Sequence, residues 1–134
     1  MITEQMKPLI EKYPTLFRQC ALPMSESCMA FGIECGTGWY PTINFMSKAL
    51  IKKYGDKIEY SQIKEKFGTL RVYVDILDDS IDWKEVMNLI SKYEVMSSKK
   101  CERCGKPASM RNVRGWFSTL CDEHFKEKEE LLNG

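Results

Sequence analysis

Four residues near the C-terminal end have the types and spacing of a metal site. They are Cys101 and Cys104 in Cys101-Glu-Arg-Cys104 and, after sixteen intervening residues, Cys121 and His124 in Cys121-Asp-Glu-His124. Two residues separate the members of each pair, so one tight turn can bring both side chains to a single tetrahedral ion. Gly105 follows the first pair, where such a turn aims backbone amides at sulfur and favours a residue without a Cβ. The chemistry expected is structural binding of Zn2+. Catalytic zinc keeps one coordination position open for water, whereas four good ligands close the shell. Zinc deaminase chemistry needs a His-x-Glu segment before a Pro-Cys pair, and neither is present. His124 is the only histidine, which leaves none as a general base, and the chain is read as a non-enzyme. Asp75, Asp78 and Asp79 are read as turn and helix-cap residues rather than as catalytic carboxylates.

Two clusters have the residue types of a ligand site. In Gly36-Thr-Gly-Trp-Tyr-Pro41 the glycines and the following helix start could offer N–H groups to an anion, with Trp39 and Tyr40 as stacking surfaces. The competing reading is a tight loop whose aromatics anchor the core. In Lys64-Glu-Lys-Phe-Gly-Thr-Leu-Arg71, alternation along paired strands would put Lys64, Lys66, Arg71 and Tyr73 on one polar face, with Phe67 at the tip. Such a face could cradle phosphate, and a solvated hairpin end is the competing reading. A third set lies around the metal ligands. Lys99, Lys100, Arg103, Lys106, Arg111 and Arg114 meet only Glu102 before Ser118, with Trp116 and Phe117 among them. Cations interleaved with aromatics can bind nucleic acid, here through Arg111, Arg114 and Trp116, although Glu127, Glu129 and Glu130 dilute the field. Of the remaining thiols, Cys20, Cys28 and Cys35, none has a base to activate it, and Cys28 and Cys35 are expected to be buried and reduced.

The elements that must position these groups follow from pattern. Met6, Leu9, Ile10 and Tyr13 recur at helical spacing over 4–13, behind Thr3 as N-cap and ended by Pro14. The largely apolar run 28–34 reads as a strand entering the glycine turn. Pro41 opens a helix over 41–54 that Gly55 closes. Segments 57–66 and 69–76 flank Phe67-Gly68 as a β-hairpin. Asp78-Asp79-Ser80 supplies capping oxygens for a helix over 81–96 with Val86, Leu89, Ile90 and Tyr93 in one stripe. Val113-Arg-Gly115 is a turn between two short strands, and the chain after Cys121 is helical in composition to about Leu132. The fold class expected is α+β: residues 1–97 as a small mixed domain and 98–134 as a zinc-finger module, with Ser97 to Lys100 as linker.

Bulk properties narrow the function. A net charge of +1 over 134 residues gives no overall field toward nucleic acid or an anionic membrane, so any polyanion site must be local. No apolar run approaches the roughly 20 residues of a membrane helix, and the first residues lack the basic-then-apolar order of a signal peptide. A cytoplasmic protein without a membrane partner is expected, in which close cysteine pairs bind metal rather than form disulfides.

The order knuckle, hairpin, then ligand pair at a helix N-terminus resembles treble-clef zinc fingers over 101–132. A wider set of motifs is Glu34-Cys-Gly-x-Gly-Trp-Tyr-Pro41, Lys64-Glu-Lys-Phe-Gly-x-Leu-Arg71, Cys101-x2-Cys104-Gly105, Gly115-Trp116 and Thr119-Leu-Cys-Asp-Glu-His124. Together these resemble a group of small proteins encoded by tailed phages and prophages, over 28–124. That resemblance implies a phage accessory protein acting in the host cytoplasm, and by analogy one that counters host defence by sequestering a nucleotide signal. It transfers no catalytic residues. The expected function is therefore non-enzymatic capture of a small phosphate-bearing ligand by the Trp39-Tyr40 loop and the Lys64 to Arg71 hairpin. The alternative is a DNA-binding or protein-interaction adaptor working through the finger. A pocket shared between two copies of the chain stays open.

Overall fold

The computed structural model describes residues 2–133. Its larger part is a three-stranded sheet backed by helices. Strand β1 (Ile33–Glu34) runs parallel to β2 (Ile58–Lys66), which pairs antiparallel with β3 (Thr69–Ile76), in the order β1-β2-β3. The β2–β3 hairpin turns through Phe67 and Gly68, both at positive φ (53° and 84°), the geometry whose twist matches the flanking strands. Lys64 stands opposite Arg71 and Gln62 opposite Tyr73, while a bulge between Tyr60 and Gln62 leaves Ser61 out of the ladder.

Helix α1 (Lys7–Lys12) is shorter than its apolar spacing suggests, because Met6 rather than Thr3 is its N-cap and no side chain caps it. The run 28–34 is also mostly not a strand. The Ser27 hydroxyl accepts from the Met29 N–H at 3.1 Å and starts a 3-10 turn over Cys28–Phe31, leaving two residues for β1. Cys28 is exposed on that turn, contrary to the buried position expected of it, whereas Cys35 is largely enclosed. Helix α2 (Tyr40–Tyr54) follows the predicted bounds to one residue and ends at Gly55, whose φ of 61° suits glycine. Helix α3 (Trp83–Ser97) starts two residues later than its stripe suggests. Asp82 is the cap, accepting from Lys84 N–H at 3.0 Å, while Asp78 closes a turn onto Ser80 N–H at 2.9 Å.

Trp39, Ile43, Leu50, Tyr60, Ile63 and Leu70 are among the fully buried side chains that hold α2 and α3 to one face of the sheet. The free edge of β3 is covered by α3: Leu70 N–H donates to Ser97 Oγ at 2.9 Å and Val72 N–H to Glu94 Oε2 at 3.0 Å. No described helix is long and apolar enough to cross a membrane.

The C-terminal part is a finger. The hairpin of β4 (Ser109–Val113) and β5 (Trp116–Leu120) turns through Arg114 and Gly115, both at positive φ, and helix α4 (Asp122–Asn133) follows directly. Its apolar centre is small, Cys101, Leu120 and Cys121 with Ala108 and Phe125 packed alongside. So little apolar mass cannot hold a module of this size without a staple.

Candidate metal centre and the surfaces beside it

The ligand atoms of Cys101, Cys104, Cys121 and His124 lie within 4.8 Å of one another. Bonds of zinc length at tetrahedral angles put two sulfurs about 3.8 Å apart and a sulfur and a nitrogen about 3.6 Å apart. Cys104 Sγ and Cys121 Sγ are 3.8 Å apart, and His124 Nδ1 is 3.4 Å from Cys101 Sγ and 3.3 Å from Cys121 Sγ. The residues present therefore fit one tetrahedral ion, with Nδ1 as the histidine donor.

Local structure favours the thiolate at Cys101. Burial opposes ionisation of Cys101, but backbone N–H groups of Cys121, Cys104 and Arg103 and the His124 ring outweigh it and bring the thiol down to about 6. At Cys104 the Lys106 N–H favours the thiolate, yet desolvation and the adjoining thiols of Cys101 and Cys121 keep it above its ordinary value. Cys121 immediately precedes α4 and His124 lies in its first turn, so the start of one helix positions the second ligand pair. Arg111 braces this end. It donates to Leu120 O at 3.2 Å and to Asp122 Oδ1 at 2.6 Å, and its guanidinium lies 4.5 Å from the Phe125 ring centre.

The first knuckle docks on the larger part of the chain, and the glycine turn receives it. Gly36 N–H donates to Glu102 Oε2 at 2.9 Å, Gly38 N–H to Glu102 O at 2.7 Å, and Trp39 Nε1–H to Lys100 O at 2.8 Å. A Cβ on Gly36 or Gly38 would collide with the knuckle's backbone carbonyls. Glu102 N–H in turn donates to Thr119 O at 3.0 Å, and Thr119 Oγ1 donates to Gly68 O at 2.6 Å, tying the finger to the β2–β3 turn. Both glycine motifs are therefore seats for the finger.

This corrects the expected ligand site in three places. Trp39 is 0% exposed with its indole N–H already engaged, so it has no face to stack on a ligand. Tyr40 is partly buried against the same core, and burial raises its phenol pKa, with the nearby Cys35 adding to the effect. Arg111 is committed to Asp122, Leu120 and Phe125, and Arg103 is paired with Glu127 at 3.3 Å, so the finger's cations do not form one open basic surface. Arg114 sits exposed in the β4–β5 turn.

On the hairpin, the register brings Lys64, Arg71 and Tyr73 to the sheet face opposite the buried Ile63, Leu70 and Val72. Lys64 and Arg71 form no ion pair among the described residues, and Glu34 stands beside Lys64 on β1 without pairing to it. Lys66 leans over the exposed Phe67 ring at 5.6 Å, in a notch that also takes in Trp116. Tyr73, 47% exposed, borders a groove of about 340 Å³ with Ser27, Ser61, Gln62 and Asp75 on its walls.

Sequence reasoning missed Glu102 as a docking residue, the groove beside Tyr73, and a cleft of about 370 Å³ where Glu65 and Glu102 face Trp116, Phe117 and Lys128. The bulge that frees Ser61 carries no sequence signature. Glu102 was legible only as one acid among cations.

Fold and site together define a mixed α+β chain carrying a C-terminal Cys3His cluster that could hold a metal ion, in treble-clef order. Comparison with protein-family models, with curated proteins and with solved structures finds no match to the chain.

Proposed function

We propose that the chain is a non-enzymatic binding protein whose finger is closed by structural Zn2+ and whose outer sheet face takes a small phosphate-bearing ligand of nucleotide type. Three thiolates and one imidazole suit zinc among the available metals. The observation that carries the binding reading is the direct opposition of Lys64 and Arg71 across β2 and β3. Like charges in that position cost stability, and an anion between them turns the cost into affinity. Tyr73 is two residues along β3 from Arg71, ~7 Å on a strand. A ring stacked on Tyr73 would lie in the groove beside Ser61, Gln62 and Asp75, whose polar atoms suit base edges, with its phosphate reaching Lys64 and Arg71.

The phage resemblance supplies a setting, in which such a protein would sequester a nucleotide signal of host defence in the bacterial cytoplasm. Nucleic-acid binding through the finger is the weaker reading, because Arg103 and Arg111 are held by Glu127 and Asp122.

Isothermal titration of the zinc-loaded protein against inorganic phosphate and a panel of mononucleotides and cyclic dinucleotides tests the proposal. At least one nucleotide should bind at micromolar concentration. Lys64→Ala and Arg71→Ala should each weaken it by about tenfold or more, the loss of one charge-assisted contact. Absence of heat from every member, or binding that ignores both substitutions, contradicts it.

A further inference from the structure

The cleft at the seam of hairpin and finger has the opposite chemistry from the outer face. Glu65 and Glu102 stand on its wall, and each is oriented by a backbone amide: Gly68 N–H donates to Glu65 Oε2 at 2.7 Å and Gly36 N–H to Glu102 Oε2 at 2.9 Å. Neither carboxylate makes an ion pair among the described residues, so one oxygen of each is left for a donor from outside. Opposite them are Trp116, 67% exposed, and Phe117.

Of the cations at the cleft, Lys128 partly offsets the Glu102 charge, but none forms an ion pair with either carboxylate among the described residues. Arg103 is held by Glu127, and Lys128 donates to Ser118 Oγ at 3.1 Å while its ammonium lies 5.7 Å from the Trp116 ring centre. The indole is thus already visited by a cation from its own chain. Two carboxylates with free oxygens beside an open indole suit a planar cation: the guanidinium fork meets carboxylates two donors at a time and its face stacks on an aromatic ring. An ammonium offers only a compact charge, and a phosphate would be repelled. The exposed Leu131 on the rim gives apolar contact to the chain carrying the cation.

We propose that this cleft binds an arginine side chain presented by a partner protein, between the Glu65 and Glu102 carboxylates and the Trp116 ring. It is a second site, independent of the phosphate-binding reading and on a different surface.

The test uses zinc-loaded full-length protein and three capped amino acids as probes: arginine, lysine and the neutral isostere citrulline, each at millimolar concentration, followed by two-dimensional amide and indole NMR. Capped arginine should shift the Trp116 indole signal and the Gly36 and Gly68 amides. Lysine should do so more weakly and citrulline not at all. Glu65→Gln, which keeps the bond from Gly68 N–H but loses the charge, should weaken the arginine response by about tenfold. Equal response to citrulline, an unshifted Trp116 signal, or an unaltered response in Glu65→Gln overturns the proposal. Because Lys64 and Arg71 are not part of this cleft, Arg71→Ala should respond to arginine like the parent protein.

Discussion

A methyl group at position 38 probes the seating of the finger on the glycine turn. Gly38 has no positive φ, so alanine can adopt its backbone and the perturbation is one of space alone. The added Cβ would stand 2.5 Å from Glu102 O, with Cys101 O also inside contact distance, where a carbon normally keeps about 3.3 Å from a carbonyl oxygen. These are backbone atoms of the knuckle and cannot rotate away. Either the knuckle lifts or the turn distorts, at about 1–3 kcal/mol for overpacking. Lifting the knuckle also removes Gly38 N–H to Glu102 O and Trp39 Nε1–H to Lys100 O, at about 1 kcal/mol each. Gly38→Ala should therefore cost about 3–5 kcal/mol, a large part of the 5–15 kcal/mol typical of a domain. Urea denaturation of the zinc-loaded protein measures it, with Thr37→Ala at the exposed neighbouring position expected to stay within about 0.5 kcal/mol. Because Cys101 belongs to the cluster that would hold the ion, competition with a chromophoric chelator should also show weaker zinc retention in Gly38→Ala. If both substitutions behave alike in stability and in zinc retention, the finger is not seated on this turn and the reasoning fails.

Two further outcomes follow from single contacts. Tyr54 donates to Glu85 Oε1 at 2.8 Å, and burial first, then this hydrogen bond and the Glu85 charge, push its phenol up to about 12 from 10.0. A raised folded pKa means the stabilisation is fully present below pH 10 and is lost as pH rises toward 12, so the stability difference between the parent and Tyr54→Phe, from urea midpoints, should shrink over that interval and be constant from pH 7 to 9. Thr119→Val keeps shape but leaves the Gly68 carbonyl without its buried donor, and should lower the unfolding free energy by about 1–2 kcal/mol, read as a lower urea midpoint at unchanged slope.

Much of the fold is legible in the chain because its signals are local. Pro41 and Gly55 bracket α2, and alternation from Leu70 to Ile76 marks β3. The Cys-x2-Cys and Cys-x2-His spacing marks the metal centre. The misreadings arise where a local pattern serves a distant partner. Gly36 and Gly38 look like an anion loop because close backbone approach is what glycine permits, and the sequence does not say whether a ligand or the Glu102 backbone approaches. Arg111 looks like a free cation because its partner Asp122 comes close only when β4 and β5 pair and α4 starts. The shared face of Lys64, Arg71 and Tyr73 was legible, since alternation and a two-residue turn fix register. The cleft between Glu65, Glu102 and Trp116 was not, because it forms only when the finger docks.

X-ray absorption at the zinc K-edge of the protein as purified reads whether one closed centre of Cys101, Cys104, Cys121 and His124 holds the finger in place. One zinc per chain is expected, with three sulfurs at ~2.3 Å, one nitrogen at ~2.0–2.1 Å and no further ligand. A shell with fewer than three sulfurs, or with a water oxygen in place of the histidine nitrogen, would contradict it.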